Sequence, residues 1–399
     1  MQFPWKHWIP GVLNKDQIRQ LCDEGLINVG KLQNDALDES AIDLHLSGEA
    51  YQMKIGSVKP SSSYHYSWFL KRQKLSRKLP KRKDGIYTLK SKETYVFKLQ
   101  ERLETELGVA GFHGQATAKS SVGRVDVLAR LIVDGMDTYE FFNPAGLIKG
   151  SGEMYLEITP MTFDVRVREG KSLSQLRLFY GRPEDVRIRG KELLETVFPG
   201  VENPDGALRV DLTPEKVGRE LTAAFCARAP ASRTPPVCLW ETRAQADPAA
   251  HWTLVKSDDA GRLEIEKNKF YILRSKERIS LPEGIAIYCR AIDETIGEMR
   301  IHYAGFVHPR FGTNRSDKKE GTPLIFEVRG HQVNVSLADG EKMANLIFYR
   351  MSKDSPKAEQ SGSEKHRLRK SGYNDQSLQL SKFFKAWKKS KRRNHDADD

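Results

Sequence analysis

At 399 residues the chain is long for one domain and comfortable for two, and 39% hydrophobic with 30% charged residues marks a packed protein rather than a disordered one. No apolar run nears the roughly 18 residues of a membrane span, and the opening Met1, Gln2, Phe3, Pro4, Trp5 and Lys6 lack the apolar core of a signal peptide, so a cytoplasmic location is expected. The net charge of +12 is uneven: 71–84 holds eight basic residues and one acid, 353–399 thirteen basic and seven acidic, and the rest of the chain is nearly neutral.

The first predicted element is a short helix. Asn14 fits its N-cap, Gln17 the capping box, Leu13 and Ile18 a hydrophobic staple, and Gly25 the stop. Beyond it the period changes to two, in short runs separated by glycines such as Tyr95, Val96, Phe97 and later Phe163, Asp164, Val165, Arg166, Val167. This is a mainly β pattern with a few short helices. Residues 60–85, basic and carrying Tyr64, Tyr66, Trp68 and Phe69, read as an insertion in it.

Lys119, Ser120, Ser121, Val122, Gly123 and Arg124 place two hydroxyls between two cations beside a glycine, a composition able to donate many hydrogen bonds to phosphate oxygens. It is not a Walker A loop, because Ala118 stands where that motif needs glycine. Composition alone favours a plain polar turn. Further on, Glu157 lies in the strand-like run Met154, Tyr155, Leu156, Glu157, Ile158. A carboxylate partly buried there and unpaired is suited to proton shuttling near neutral pH; on composition alone the solvent face of an edge strand is the commoner reading.

The stretch from Glu157 to Gly170 recurs without a gap from Glu327 to Gly340, an offset of 170 that also pairs Gln175 with Asn345 and Leu176 with Leu346. Two β-domains follow, at about 1–190 and 205–352, the second with acids at Asp293, Glu294 and Glu298 where the first has its cation-rich loop. Carboxylates there repel a phosphate chain. Residues 353–399 read as a disordered basic tail in which 378–393 could form an amphipathic helix, although a solvated, solubilising tail is the commoner outcome. The four cysteines, Cys22, Cys226, Cys238 and Cys289, form no C-x-x-C pair and read as reduced, mostly buried thiols.

Three pieces of the first copy together resemble the dCTP deaminase family: Ser40, Ala41, Ile42, Asp43, Leu44, His45, Leu46; the run Lys119 to Arg124; and Tyr155, Leu156, Glu157 followed by Gly170 and by Ser174, Gln175, Leu176. The two-copy length is similar to the family's long tandem proteobacterial form, and the likeness covers about 10–352. It implies two tandem dUTPase-like distorted β-barrels, jelly-roll-like in outline, that deaminate dCTP to dUTP and ammonia and so supply dUTP for thymidylate synthesis. It implies Glu157 as general base and acid, Arg124 and Ser120 orienting the water, Lys119 and Ser121 on phosphates, and Gln175 on the nucleotide. Magnesium is implied with the triphosphate, and so is a trimer-like homo-oligomer. Zinc is not expected, since the chain lacks the H-x-E…P-C-x-x-C arrangement of zinc deaminases.

The base-pocket hairpin of the family resembles Ala304, Gly305, Phe306, Val307 and His308 of copy two; copy one departs from it at Leu131, Ile132, Val133, Asp134 and Gly135, with Asp134 the remaining substrate-binding expectation. Chemistry is therefore expected from copy one, with Ala304, Phe306 and Glu327 of copy two completing a wall, so that Glu157→Gln should abolish activity and Glu327→Gln should spare much of it. The alternatives are a bifunctional deaminase and diphosphatase, for which the tail lacks a glycine-rich arm, or a non-catalytic nucleotide sensor. Weak nucleic-acid or acidic-surface contact is also expected from the basic insertion and tail, with their aromatic residues.

Overall fold

The computed structural model describes residues 4–29, 36–229, 234–240, 245–291, 299–302, 305–313, 321–354 and 377–387, with backbone alone at 300–302. The N-terminal helix spans Lys15–Asp23; the side chain of Asn14 accepts from the Gln17 amide and that of Gln17 accepts from the Asn14 amide. Leu13 and Ile18 are both buried, and Gly25 takes the left-handed φ of 76° that ends the helix.

The chain is mainly β, in two curled sheets. In the first, antiparallel strands Ser172–Tyr180, Ala41–Met53, Tyr95–Leu103 and Glu153–Pro160 lie side by side. In the second, Lys342–Arg350, Ala207–Asp211, Phe270–Ile279 and Thr322–Gly330 lie in the corresponding order. The strands Val165–Arg168 and Val335–Ala338 have bounds separated by the same 170 residues as the sequence offset. Period-two alternation explains each sheet: Ile42, Leu44 and Leu46 are buried, and Asp43 and His45, which alternate with them, are only half-buried.

The two copies are sewn together. Val237–Cys238 of copy two pairs in parallel with Val165–Arg168 of copy one, and Val12 bridges Met351. Phe225, Trp252 and Phe270 of copy two join the apolar core of copy one. Of the cysteines, Cys226 is buried and the other three are half-buried. Among the described residues no helix is long and apolar enough to cross a membrane.

The tail differs from its expectation. Residues 377–387 form no helix and are not a free polar arm: Leu378, Leu380, Phe383 and Phe384 are buried. Phe384 packs edge-on against Phe163 of copy one and His251 and Trp252 of copy two, and Lys385 donates its amide to Ala246. The apolar side chains of that stretch outweigh its lysines, which line the outer side. Residues 388–393 lie outside the described residues, as do 292–298, the acidic loop of copy two.

Candidate active site between the two copies

The strand Phe112–Ala118 delivers the polar loop. Lys119 is extended, Ser120–Gly123 makes a single helical turn, and the amides of Val122 and Gly123 both return to the Lys119 carbonyl. The turn leaves Ser120 exposed, buries Ser121, and sends the Arg124 side chain inward, where it is 3% exposed. Lys119 Nζ lies 2.5 Å from Asp43 Oδ2, while Gln175 Nε2 donates to Asp43 Oδ1 at 3.1 Å. Lys119, Asp43 and Gln175 thus form one polar row across adjacent strands, with Ser120, Ser121 and Arg124 at its end.

Copy two closes over this row with its hairpin. His308 Nδ1 sits 3.0 Å from Ser40 Oγ, and Nε2 3.6 Å from Asp38 Oδ2. Phe306, half-buried, lies with its ring 4.0 Å from the guanidinium of Arg177, which donates to the Ile287 carbonyl at 2.9 Å. Ala304 lies outside the described residues. Arg177 and Ser40 are contributors that reading motifs one copy at a time missed; Ser40 stood in the first motif, but its partner is 268 residues away.

The buried carboxylate of copy two on which the Arg124 charge acts is Glu327. It is 4% exposed, on the strand Thr322–Gly330. Burial pushes its carboxyl well above the usual carboxylate range; the Arg124 guanidinium pulls it back in part, and the charge of Asp126 raises it further. Arg124 also donates to the Gln379 carbonyl of the tail at 3.3 Å, and Ser381 donates its hydroxyl to the Ser121 carbonyl at 2.6 Å. The tail segment is therefore laid along the loop.

Glu157 is placed differently from the sequence expectation. It is 1% exposed, but both oxygens are engaged: Oε1 accepts from Arg130 at 2.5 Å and Ser57 at 3.1 Å, Oε2 from the Tyr139 hydroxyl at 3.2 Å. Arg130 also lies 4.1 Å over the Tyr139 ring. Both oxygens of this carboxylate are thus paired with an arginine and two hydroxyls. The copy-one pocket around it is filled by the chain itself. Tyr66 and Leu70, one turn apart on the helix Tyr66–Leu70, pack with Tyr51, Met53, Val96, Ile132 and Tyr155.

Asp134 is likewise engaged within copy one. Its carboxylate accepts from the amide of Tyr66 at 2.7 Å, the His65 imidazole at 2.5 Å and the Ser151 hydroxyl at 2.6 Å. Burial raises its pKa, but the bonds from Ser151 and His65 outweigh this and hold the carboxyl below the usual range. The hydrogen bond to Asp134, then its charge, raises the pKa of His65. A histidine with a raised folded pKa adds stability that is complete below its unfolded pKa, roughly 6.5, and lost as pH rises through the folded value. His65→Gln should accordingly lower the melting temperature more at pH 6 than at pH 9. An equal loss at both pH values would show that the ion pair does not hold the insertion.

The insertion keeps its basic residues outward, with Tyr64 and Trp68 exposed and stacked at 4.9 Å and Arg72 3.8 Å over the indole. Tyr66 is buried, as are Phe383 and Phe384 of the tail, so those three are not free to stack on bases.

Fold and site together define a tandem β-domain protein in which a cation-bearing polar loop of one copy meets a buried carboxylate of the other. Family models match both copies: the 2'-deoxycytidine 5'-triphosphate deaminase N-terminal domain over residues 9–182 and the C-terminal domain over 191–384. The chain belongs to the dCTP deaminase family. It is similar to the crystal structure of 2'-deoxycytidine 5'-triphosphate deaminase from Agrobacterium tumefaciens, with 28% identity, a TM-score of 0.76, and coverage of 86% of this chain and 96% of that one. An anti-sigma factor domain-containing protein from Clostridium clariflavum aligns at 10% identity over 77% of this chain and 90% of that one, but its TM-score of 0.13 carries no argument. No curated protein sequence matches the chain.

Proposed function

We propose that the chain converts dCTP and water to dUTP and ammonia at one site per chain, with Glu327 as general base and acid. The observation that carries this is the burial of Glu327 beside Arg124, at the end of a row of phosphate-compatible side chains. Glu327 takes a proton from the water that attacks C4 of cytosine and passes it to N3; it then takes the proton of the new C4 hydroxyl and delivers it to the amino group, which leaves as ammonia while the C4 carbonyl forms. A positioned acid-base group of this kind contributes about 10²–10⁴ in rate. Arg124 and Ser120 orient the water and balance the developing hydroxide. Lys119 and Ser121 hold phosphate oxygens, Gln175 contacts the nucleotide, and Phe306 with His308 walls the base.

Magnesium enters as the triphosphate's counter-ion and part of the substrate. In support, Asp43, the carboxylate in the polar row, is already engaged by Lys119 and Gln175. Release of dUTP for thymidylate synthesis, and a homo-oligomer of chains, belong to the same proposal; sedimentation of the purified protein reads the latter, and a monomer throughout would remove it. A separable second proposal is weak contact of Tyr64, Trp68 and the surrounding cations with single-stranded nucleic acid, favoured by their exposed stack. Binding that does not weaken as salt rises would exclude it.

The test of the main proposal is incubation of chelator-treated protein with dCTP and magnesium. Ammonia and dUTP are the expected products. Diphosphate and dUMP would reassign the site to a bifunctional enzyme, and absence of turnover with nucleotide still bound would make it a sensor.

A further inference from the structure

Asp126 follows the polar loop by two residues. It is fully buried, and its φ of 59° is a left-handed conformation that an aspartate adopts at a cost. Its amide donates to the Gly123 carbonyl and its carbonyl accepts from Met161, which fixes the backbone on both sides. The carboxylate does not point to a group of its own copy alone. Arg329 of copy two reaches it with an ion pair to Oδ2 and a second contact from Nε to Oδ1 at 3.5 Å. Thr162 closes the triangle: its hydroxyl donates to Asp126 Oδ2 at 2.5 Å and accepts from Arg329 at 2.7 Å. Arg329 is anchored in copy two by donating to the Asn268 carbonyl at 2.7 Å.

The placement of the two ends is what matters. Asp126 is two residues from Arg124, and Arg329 is two residues from Glu327 on the same face of the strand Thr322–Gly330. The pair therefore joins the two halves of the site next to the groups that must meet. A buried ion pair contributes little net stability but fixes register, because either partner alone is an uncompensated charge.

We propose that Asp126 and Arg329 are positioning residues that clamp the loop of copy one to the strand of copy two and set the charge seen by Glu327. This rests on Glu327 being the base. The charged and titratable groups acting on Glu327 are Arg124 and Asp126 from copy one and the Cys289 thiol from the strand Ile285–Ala291, while Arg329 stands two residues along the same strand and pairs with Asp126. Burial, then the charge of Glu327, pushes the Cys289 thiol up to about 12, so it stays neutral through the working range. Around Glu327 the Arg124 guanidinium draws the carboxyl down and the Asp126 carboxylate, itself paired with Arg329, pushes it up.

The experiment is the pH profile of kcat/KM for ammonia release from dCTP in the full chain. Deprotonated Glu327 is the active form, so its pKa sets the acid limb. Asp126→Asn removes a negative neighbour and should move that limb to lower pH. Arg329→Gln removes a positive one and should move it to higher pH. Each shift is expected to be about one pH unit, a modest effect for a neighbouring charge in a partly polar interior. The double variant should return close to the parent. Arg329→Lys keeps the charge and loses the two-point grip, so it should lower kcat at the plateau with the limb unmoved; it serves if a single neutral variant does not fold. Limbs that stay fixed or move the same way in both single variants would reduce the pair to a structural fastening, and a limb displaced in Arg329→Lys would overturn the charge argument. Glu327→Gln, run alongside, separates the premises: full activity there removes Glu327 as base, whereas an inactive Glu327→Gln with unmoved limbs removes only the pair's charge role.

Discussion

Replacing Glu327 by Gln is expected to lower kcat for dCTP deamination by about 10²–10⁴, while Glu157→Gln leaves the folded enzyme's kcat within a few-fold of the parent. The substitution is close to isosteric, so the pocket keeps its shape and loses only the proton carrier. The two glutamates occupy matching positions in the two copies and are both buried, at 4% and 1% exposure, so burial does not distinguish them. Their partners do. Glu157 is bound by Arg130, Ser57 and Tyr139, and lies under an insertion that fills its pocket. Glu327 lies within the influence of Arg124, the cation at the end of the polar loop. Steady-state ammonia release from the two variants decides the matter, and an inactive Glu157→Gln beside an active Glu327→Gln would reverse the assignment.

The second large effect concerns stability. Arg130→Met should destabilise the fold by about 3 kcal/mol, because it leaves the buried Glu157 charge without its cation and with only the Ser57 and Tyr139 hydroxyls. Arg130 is itself a third exposed, which keeps the figure at the lower end for a broken buried pair. The double variant Arg130→Met, Glu157→Gln should recover part of that loss, since the uncompensated charge is gone. Urea denaturation of the three proteins measures both quantities. A single variant as stable as the parent would mean that Glu157 has other means of compensation and that the copy-one pocket is more open than its packing indicates.

Much of the fold was legible along the chain. The capped helix at Lys15–Asp23 followed from Asn14, Gln17 and Gly25, and the sheets followed from period-two runs. The row Lys119, Asp43, Gln175 was legible as residue types in separate motifs, although only strand pairing made it a row. What the chain could not display was which carboxylate meets the loop. That depends on how two copies dock, and the decisive contacts span large separations: 203 residues for Asp126 and Arg329, 268 for Ser40 and His308. The burial of the tail was hidden for a related reason. Leu378, Leu380, Phe383 and Phe384 are interleaved with lysines, and an apolar side for them exists only where Phe163 and Trp252 have been brought together. The insertion gave a better hint, since Tyr66 and Leu70 stand at the spacing of one helical face.

The division between an open site and a filled one has a countable consequence. Calorimetric titration of the full-length Glu327→Gln chain with dCTP and magnesium gives the number of nucleotides bound per chain without turnover. One nucleotide per chain is the result expected if copy one lends its loop, copy two lends its wall, and the pocket around Glu157 is occupied by Tyr66 and its neighbours. Two per chain, with the second lost on replacing Glu157 and kept on replacing Trp68, would contradict it, since that second nucleotide would lie in the pocket that the insertion fills.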